Sequence, residues 1–317
     1  MELVRGRHNL LARHRPCVAT IGNFDGVHRG HGAVLDALHA ASRRTGLPAT
    51  VVVFEPQPRE FFAPNSAPGR ITRLRDKLRL LNDAGAERTL CLRFDASLAQ
   101  LSAEHFIGAL LLEALDVRFL MVGDDFRFGH QRRGDFAMLS AAAAAHGFEL
   151  QRMPTVEHNG ERVSSTRIRT ALAAGDLELA QALLGRRLRI SGRVVRGQAL
   201  GRELGWPTAN LRFGQQPPPM RGIFNVAVHG LGPVRPGVAS LGTRPTVNGV
   251  ETLLETYLLD FQGDIYGRYI EVELLTRQRD EERFENLAVL QERISADVES
   301  ARAWFHDHGY LPMTNAG

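Results

Sequence analysis

Cys17-Val18-Ala19-Thr20-Ile21-Gly22-Asn23-Phe24-Asp25-Gly26-Val27-His28-Arg29-Gly30-His31 is the stretch on which the fold turns. Its first five residues have the apolar, β-branched look of a buried strand, and Gly32 to Arg44 carries helical spacing at Val34, Leu35, Leu38 and Ala41. The glycine-punctuated segment between them, with its two histidines, therefore lies where a strand feeds a helix. Unpaired backbone N–H groups and the positive helix end favour an anion there, by roughly 0.3–1 kcal/mol when exposed and up to about 2 kcal/mol when partly buried. Gly30 lets backbone approach a phosphate, and His28 and His31, three apart, can project to the same side.

The alternation continues outward. Strands are expected around Ala49 to Phe54, Arg88 to Phe94, Arg118 to Val122 and Glu149 to Pro154, and helices around Thr72 to Ala84, Ala103 to Leu115 and Asp135 to His146. That pattern predicts a parallel α/β sheet with ligands at the carboxyl ends of its strands. Ser164 to Leu184 reads as two short helices, with Ser165 or Thr166 capping the first and Asp176 near the start of the second. From about Arg186 the texture changes to short alternating runs: Leu188 to Val195, Phe224 to His229, Gly237 to Leu241, Glu255 to Phe261 and Tyr269 to Leu275. Separated by glycine and proline, these predict an antiparallel barrel or sandwich. Phe284 to Phe305 closes the chain as an amphipathic helix. Two domains are thus expected, residues 1–185 and 186–317.

Composition narrows the chemistry. A chain of 317 residues suffices for about two separate cores, and a hydrophobic content of 44% fits a soluble globular protein. No stretch reaches the roughly 18 uninterrupted apolar residues of a membrane helix, so no membrane partner is expected. The N-terminus lacks an apolar signal core, and Cys17 and Cys91 are the only cysteines, which together point to a cytoplasmic protein without a disulfide framework. The net charge of +4 is carried by scattered arginines without an aromatic-interleaved patch. No nucleic-acid partner is therefore expected; small polyanionic substrates explain the balance as well. Homo-oligomerisation is left open. Of the 39 basic residues Lys77 is the only lysine, and a Gly-Lys-Ser/Thr signature is absent. Both facts argue against Schiff-base chemistry and a Walker A loop. A phosphate clamp must use arginine, histidine, backbone or metal.

Three further segments follow predicted strands or open a helix. In Phe54-Glu55-Pro56-Gln57-Pro58 the prolines fix the backbone, while Phe54 with Phe61 or Phe62 offers faces for a flat ring, although core packing explains these phenylalanines equally well. Gly123-Asp124-Asp125-Phe126-Arg127-Phe128-Gly129 sets acidic, basic and aromatic groups between glycines, as a binding loop or a structural turn. Ser164-Ser165-Thr166-Arg167-Ile168-Arg169 places hydroxyls and two arginines at a helix start, suited to clamp a polyphosphate.

On these residues the first half resembles a known family. The histidine loop is similar to the His-x-Gly-His signature of the nucleotidylyltransferase superfamily, and its extended form to bacterial FMN adenylyltransferases; the other three segments look like the same family's, in order. The resemblance implies a Rossmann-like α/β nucleotidylyltransferase domain in which the FMN phosphate attacks the α-phosphorus of ATP, giving FAD and pyrophosphate. It assigns His28 and His31 to the ATP phosphates and transition-state charge, along a loop that includes Gly22, Phe24, Asp25 and Gly30. Ser164, Ser165, Thr166 and Arg169 clamp the polyphosphate from the other side, and Phe54, Pro56, Pro58, Phe62, Asp124 and Phe128 shape the flavin site. Mg²⁺ bridging phosphates is expected.

In the second half, Gly197, Gly201 and Gly205 are spaced four apart ahead of Pro207-Thr208-Ala209-Asn210. Glycines permit close approach to phosphate, and Thr208 and Asn210 offer hard oxygen ligands for Mg²⁺; a barrel turn with a capping asparagine is the plainer reading. This half resembles bacterial riboflavin kinase through Pro-Thr-Ala-Asn, Gly222-Ile223-Phe224, Gly237 to Thr246, Leu254 to Phe261 and Tyr266-Gly267. That likeness implies an antiparallel β-barrel with a C-terminal helix. Glu255 is then the general base on the riboflavin 5′-hydroxyl, a role typically worth about 10²–10⁴-fold in rate, and Arg279 holds flavin or phosphate. Phe224, Ser240 and Tyr257 depart from the family's usual tyrosine, asparagine and histidine. A bifunctional enzyme making FMN and then FAD is expected, against an adenylyltransferase with an impaired kinase domain or a non-catalytic flavin-binding module.

Overall fold

The alternating first half forms a six-stranded parallel sheet in the order β1-β4-β3-β2-β5-β6. Here β1 is Glu2–Arg5, β2 Cys17–Ile21, β3 Ala49–Glu55, β4 Arg88–Arg93, β5 Val117–Gly123 and β6 Glu149–Met153. The structure is a computed structural model that describes residues 1–310 apart from 124, 154, 198–200, 202–203, 214–216 and 247–248. Helices α1 (Arg29–Thr45), α2 (Pro58–Phe62), α3 (Leu74–Asp83), α4 (Ala96–Ala99), α5 (Ala103–Phe106) and α6 (Phe136–His146) connect the strands.

Apolar runs form central strands because both sheet faces are covered. Val18, Val51, Val53, Phe119 and Met121 pack with Val34, Leu35 and Leu38 of α1 and Leu81 of α3. On the opposite face Ala19, Ile21, Val52, Leu90, Leu120 and Val122 pack with Phe106, Leu110 and Leu139. The sole lysine, Lys77, is itself buried in α3. The chain runs β2, β3, β4 to one side and returns to place β5 on the other flank of β2. A crevice therefore opens between the carboxyl ends of β2 and β5, where ligands bind in sheets of this kind. The loop Gly22 to His28 leaves β2 at that point.

The expected helices and strands of this half are present, with two corrections. Only Ala103–Phe106 of the segment expected to be one α-helix is α-helical; Ile107–Ala114 is wound as a π-helix. Strand β1 was not anticipated: four residues at a sheet edge show no period.

Beyond a short hairpin, β7 (Glu157–His158) with β8 (Glu161–Arg162), come α7 (Ser165–Ala174) and α8 (Leu177–Leu184). Asp176 caps α8 by accepting from Leu179 N at 2.8 Å. Ser165 and Thr166 do not cap α7: the helix already includes them, and Ser165 Oγ instead donates to the Asp25 carbonyl at 2.9 Å.

The second half is an antiparallel sheet of β9 (Arg189–Arg193), β10 (Thr208–Arg212), β11 (Gly222–His229), β12 (Arg235–Thr246), β13 (Gly249–Leu258) and β14 (Tyr269–Arg279). Its order is β10-β13-β12-β11-β14-β9, and a bridge between Val195 and Asn210 joins the two edges, Val195 N donating to Asn210 O at 2.9 Å. The sheet is thus a nearly closed barrel. The segment read as a turn with a capping asparagine is strand β10. Helix α9 (Leu287–Asp307), capped by Asn286, lays Val298, Ala301 and Phe305 against Ile223, Val238 and Leu259.

The chain divides into two compact units, Met1–Pro68 with Thr72–Ser165, and Gly69–Ile71 with Thr166–Gly317. In the second unit, Gly69 lies against Pro217–Pro219 so closely that a side chain there would meet the Pro219 nitrogen at 2.8 Å.

Candidate active sites

In the first unit the chemistry starts from how the loop after β2 is held. Phe24 and Val27 have φ of 47° and 40°, the left-handed region that a β-branched residue avoids. Hydrogen bonds from buried groups hold the loop in this strained form. Asp25 is buried, with Oδ1 accepting from Thr72 N at 3.0 Å and Thr72 Oγ1 at 3.2 Å, while Gly26 N donates to Thr72 Oγ1 at 3.0 Å. The Asp25 carboxylate therefore supports the loop from beneath. Gly22 N donates to Val52 O at 3.1 Å, continuing the sheet, and the Phe24 ring rests 4.7 Å from that of His31.

His28 is the N-cap of α1, and His31 completes a reciprocal cap. His31 N donates to His28 Nδ1 and His28 N donates to His31 Nδ1, each at 3.3 Å. The rings stack with centroids 3.7 Å apart. Because both Nδ1 atoms accept, a neutral ring must carry its proton on Nε2. The helix cap thereby fixes two Nε2–H donors at the positive end of α1, an arrangement suited to phosphate oxygens. Gly30 has a second reason to lack a side chain: a Cβ there would meet His28 Cε1 at 3.1 Å and Nδ1 at 3.2 Å.

After β3, Phe54, Phe61, Phe62 and Phe94 form an aromatic cluster with centroid separations of 5.3–5.8 Å. Phe62 is 66% exposed, an apolar face open to a flat ligand. Pro58 opens α2 and Pro56 precedes it, so both fix the entry to this cluster. Phe94 had no local sign of membership; it joins because β4 runs parallel to β3, where Phe94 N donates to Glu55 O at 3.1 Å. Phe128 is 5% exposed and packs on Phe106 and Phe126, so it forms a wall from within the core. Asp124 lies outside the described residues. Ser164 and Ser165 end the first unit; Thr166 is exposed on α7 in the second, and Arg169 Nε there donates to Gly69 O at 2.8 Å.

The second unit holds a cavity of about 170 Å³ lined on its polar side by Gly201, Thr208, Ser240, Arg244, Glu255 and Arg279. Strand register explains the grouping. Glu255 lies opposite Asn210 on one neighbour and Ser240 on the other, and two residues along Tyr257 lies opposite Thr208 and Val238. Side chains two apart share a face, so Thr208, Asn210, Glu255 and Ser240 share one side of the barrel wall. Trp206, Ile223, Val238, Phe284 and Ile294 supply an apolar side.

Asn210 is 4% exposed, its Nδ2 donating to Thr208 O at 3.2 Å, and its Oδ1 has no hydrogen-bond partner among the described residues. Such an orphaned acceptor signals a missing partner. Beside the Thr208 hydroxyl and the Glu255 carboxylate, it fits a hard, oxygen-seeking cation such as Mg²⁺. A Cβ on Gly197 would strike the Asn210 amide at 2.7 Å, one on Gly201 would strike Trp206 O at 2.5 Å, and Gly205 has φ of 94°. Burial pushes the Glu255 carboxyl above its usual pKa; Arg244, in ion-pair contact, pulls it back down, and nearby Glu281 adds to the rise. Arg279 is held by Asp297, donating from Nε at 2.8 Å and Nη2 at 2.7 Å, which raises its own pKa further. Of the three departures, Ser240 and Tyr257 line the cavity, whereas Phe224 is wholly buried in the barrel core.

Comparison with known proteins matches two families along the chain. Residues 10–167 match the FAD synthetase family and residues 184–305 the riboflavin kinase family. The bifunctional riboflavin kinase/FMN adenylyltransferase of Escherichia coli K12 is 50% identical over 308 residues, covering 96% of this chain and 98% of that protein. The protein of the same name from Pseudomonas fluorescens is 50% identical over 304 residues, covering 96% and 97%. A crystal structure from Streptococcus pneumoniae, titled as a macrolide-efflux protein, superposes with a TM-score of 0.79 at 29% identity over 96% of this chain and all of that one. Among the described residues no helix is long and apolar enough to cross a membrane.

Proposed function

The chain belongs to the bifunctional riboflavin kinase/FMN adenylyltransferase family, and from that premise we propose how its residues divide two ATP-dependent reactions. It phosphorylates riboflavin to FMN and adenylylates FMN to FAD. Residues 186–317 carry the first reaction and 1–185 the second.

In the first reaction Glu255 accepts the proton of the riboflavin 5′-hydroxyl as that oxygen attacks the γ-phosphorus of ATP and ADP leaves. Asn210 Oδ1 and the Thr208 hydroxyl would hold Mg²⁺, which when bound would relieve charge on the phosphates. The backbone at Gly197, Gly201 and Gly205 approaches the nucleotide phosphates. Arg279, fixed by Asp297, borders the flavin with the apolar wall.

In the second reaction the FMN phosphate attacks the α-phosphorus and pyrophosphate leaves. His28 and His31 donate from Nε2 to the phosphate oxygens, so that their hydrogen bonds strengthen as charge builds. Gly22, Phe24, Asp25 and Gly30 shape that loop, while Ser164 and Ser165, which end the same unit, contribute hydroxyls to the polyphosphate clamp. The phenylalanine cluster with Pro56, Pro58 and Phe128 receives the flavin. Cys17 and Cys91, both buried and neither in a disulfide, accord with a cytoplasmic enzyme.

The observation that carries this reading is that each unit has its own phosphate-directed constellation: the reciprocal histidine cap in one, the Asn210-Glu255 pair in the other. His31→Ala should reduce FAD formation from FMN by at least about 10²-fold and leave FMN formation unchanged, and Glu255→Ala should do the reverse. Equal loss of both activities in a folded His31→Ala protein contradicts the division.

A further inference from the structure

Gln57 stands between the two prolines that lead into the aromatic cluster of the first unit, and it is only 7% exposed. Its main chain is fully used. Gln57 N donates to Glu60 Oε2 at 2.9 Å, and Gln57 O accepts from Glu60 N at 2.9 Å and from Phe61 N at 3.2 Å. These bonds start α2 and tie Gln57 directly to Phe61, whose ring packs on Phe62 and Phe94. The side-chain amide is different: Nε2 is buried and has no hydrogen-bond partner among the described residues. An amide donor buried without an acceptor costs stability, and the start of α2 does not require it, because backbone atoms and Glu60 supply those bonds. An apolar side chain of similar length would fill the space without that cost. The orphaned donor therefore signals an absent acceptor. The cluster itself, Phe54, Phe61, Phe62 and Phe94, presents only apolar faces. Such faces hold a flat ring but do not set which end of it enters. An isoalloxazine has two carbonyl oxygens, both on its pyrimidine ring, so a single donor on this segment would set that orientation.

We propose that Gln57 is a specificity-determining residue for FMN adenylylation, its Nε2–H donating to a carbonyl oxygen on the pyrimidine ring of the flavin. This rests on the phenylalanine cluster receiving the flavin. The rings supply area, and the amide supplies direction: it favours a flat ring with a carbonyl at that edge over an equally flat ring without one, and leaves its donor unpaired against the second.

The test compares FMN with two thio analogues, each carrying sulfur in place of one of the two carbonyl oxygens, as substrates for adenylylation by the full chain with ATP and Mg²⁺. Sulfur keeps the ring flat and accepts hydrogen bonds poorly. The wild-type protein should show a KM about tenfold higher for one analogue than for FMN, with kcat within about twofold. Gln57→Met and Gln57→Leu keep apolar bulk and remove the donor. Both should raise KM for FMN about tenfold, equivalent to about 1.4 kcal/mol, and should no longer distinguish that analogue from FMN. KM for ATP should stay within about twofold of wild type. Without flavin, their melting temperature should equal or exceed that of wild type, because the unpaired donor is gone. A Gln57 that only supports the loop, or that bonds an internal water, gives the opposite sign. A wild-type protein with one KM for FMN and both analogues overturns the proposal, as does a KM for FMN within about twofold of wild type in both variants. A lowered melting temperature or failure to fold in both variants assigns Gln57 to the fold and overturns it as well. If the wild-type protein makes no FAD from FMN, the reading of the first unit falls and the inference with it; if FAD forms and neither the analogues nor the variants differ, only the role of Gln57 falls.

Discussion

Gly30→Ala separates what the histidine cap does for the fold from what it does for the chemistry. Gly30 lies in the first turn of α1 and its φ is not in the left-handed region, so alanine fits the backbone and gains up to about 1 kcal/mol of helix propensity. The new methyl would stand 3.1 Å from His28 Cε1 and 3.2 Å from Nδ1, against an ordinary contact of at least 3.4 Å. The methyl is fixed by the backbone, and its contact with the Val163 carbonyl at 3.5 Å is an ordinary one, so the His28 ring is the neighbour that must give. The His28 ring must therefore retreat by a few tenths of an ångström, carrying its Nε2–H and disturbing its stack on His31. A displacement of about 1 Å can lower a rate about 10²-fold, so a shift of this size should lower FAD formation from FMN by about tenfold. Three measurements on the full chain check this: FAD formed from FMN, FMN formed from riboflavin, and the melting temperature. The expected result is a slower adenylyl transfer, an unchanged kinase and a melting temperature equal to or above wild type. FAD formation within twofold of wild type would refute the claim that His28 must hold its ring position, and parallel loss of both activities with a lowered melting temperature would show damage to the fold instead.

Two further outcomes follow from buried polar groups. Asp25→Ala leaves the Thr72 N–H without its acceptor, which should cost about 1–3 kcal/mol and lower the melting temperature by several degrees, with FAD formation falling and FMN formation at 25 °C retained. Asn210→Ala removes the orphaned acceptor beside Glu255; titration of FMN formation with Mg²⁺ should show the half-maximal concentration raised by at least about tenfold, while FAD formation keeps its wild-type Mg²⁺ dependence.

The legible parts of the fold were those that local chemistry enforces. Cys17 to Ile21 could be read as a buried strand because helices cover both faces of the sheet and every position is apolar or small. Asp135 and Asp176 could be placed at helix starts because a short acidic side chain satisfies the first free N–H groups. The parts that stayed hidden depend on pairing between distant segments. Gly197 to Asn210 reads as a glycine-rich turn with a capping asparagine, but pairing with β13 makes its last three residues, Thr208 to Asn210, part of a strand and brings Asn210 opposite Glu255. The same register holds the contact of Arg244 with Glu255, for which nothing local gives a sign. Asp25 reads from its neighbours as a phosphate-loop residue; its buried support of Thr72, 47 positions away, is visible only in three dimensions. The change of texture near Arg186 marks where strands replace helices. Compactness places α7 and α8 with the barrel, because packing and not periodicity decides which unit a helix joins.

The central claim, that this one chain makes FMN and then consumes it, is tested most directly by a time course with riboflavin, ATP and Mg²⁺ in which FMN and FAD are resolved. FMN should appear first and FAD follow at its expense in the wild-type protein, and His31→Ala should stop the sequence at FMN. If riboflavin yields no FMN while added FMN still becomes FAD, Ser240 and Tyr257 mark an impaired kinase site and the account fails; if flavin binds and neither product forms, catalysis itself is contradicted.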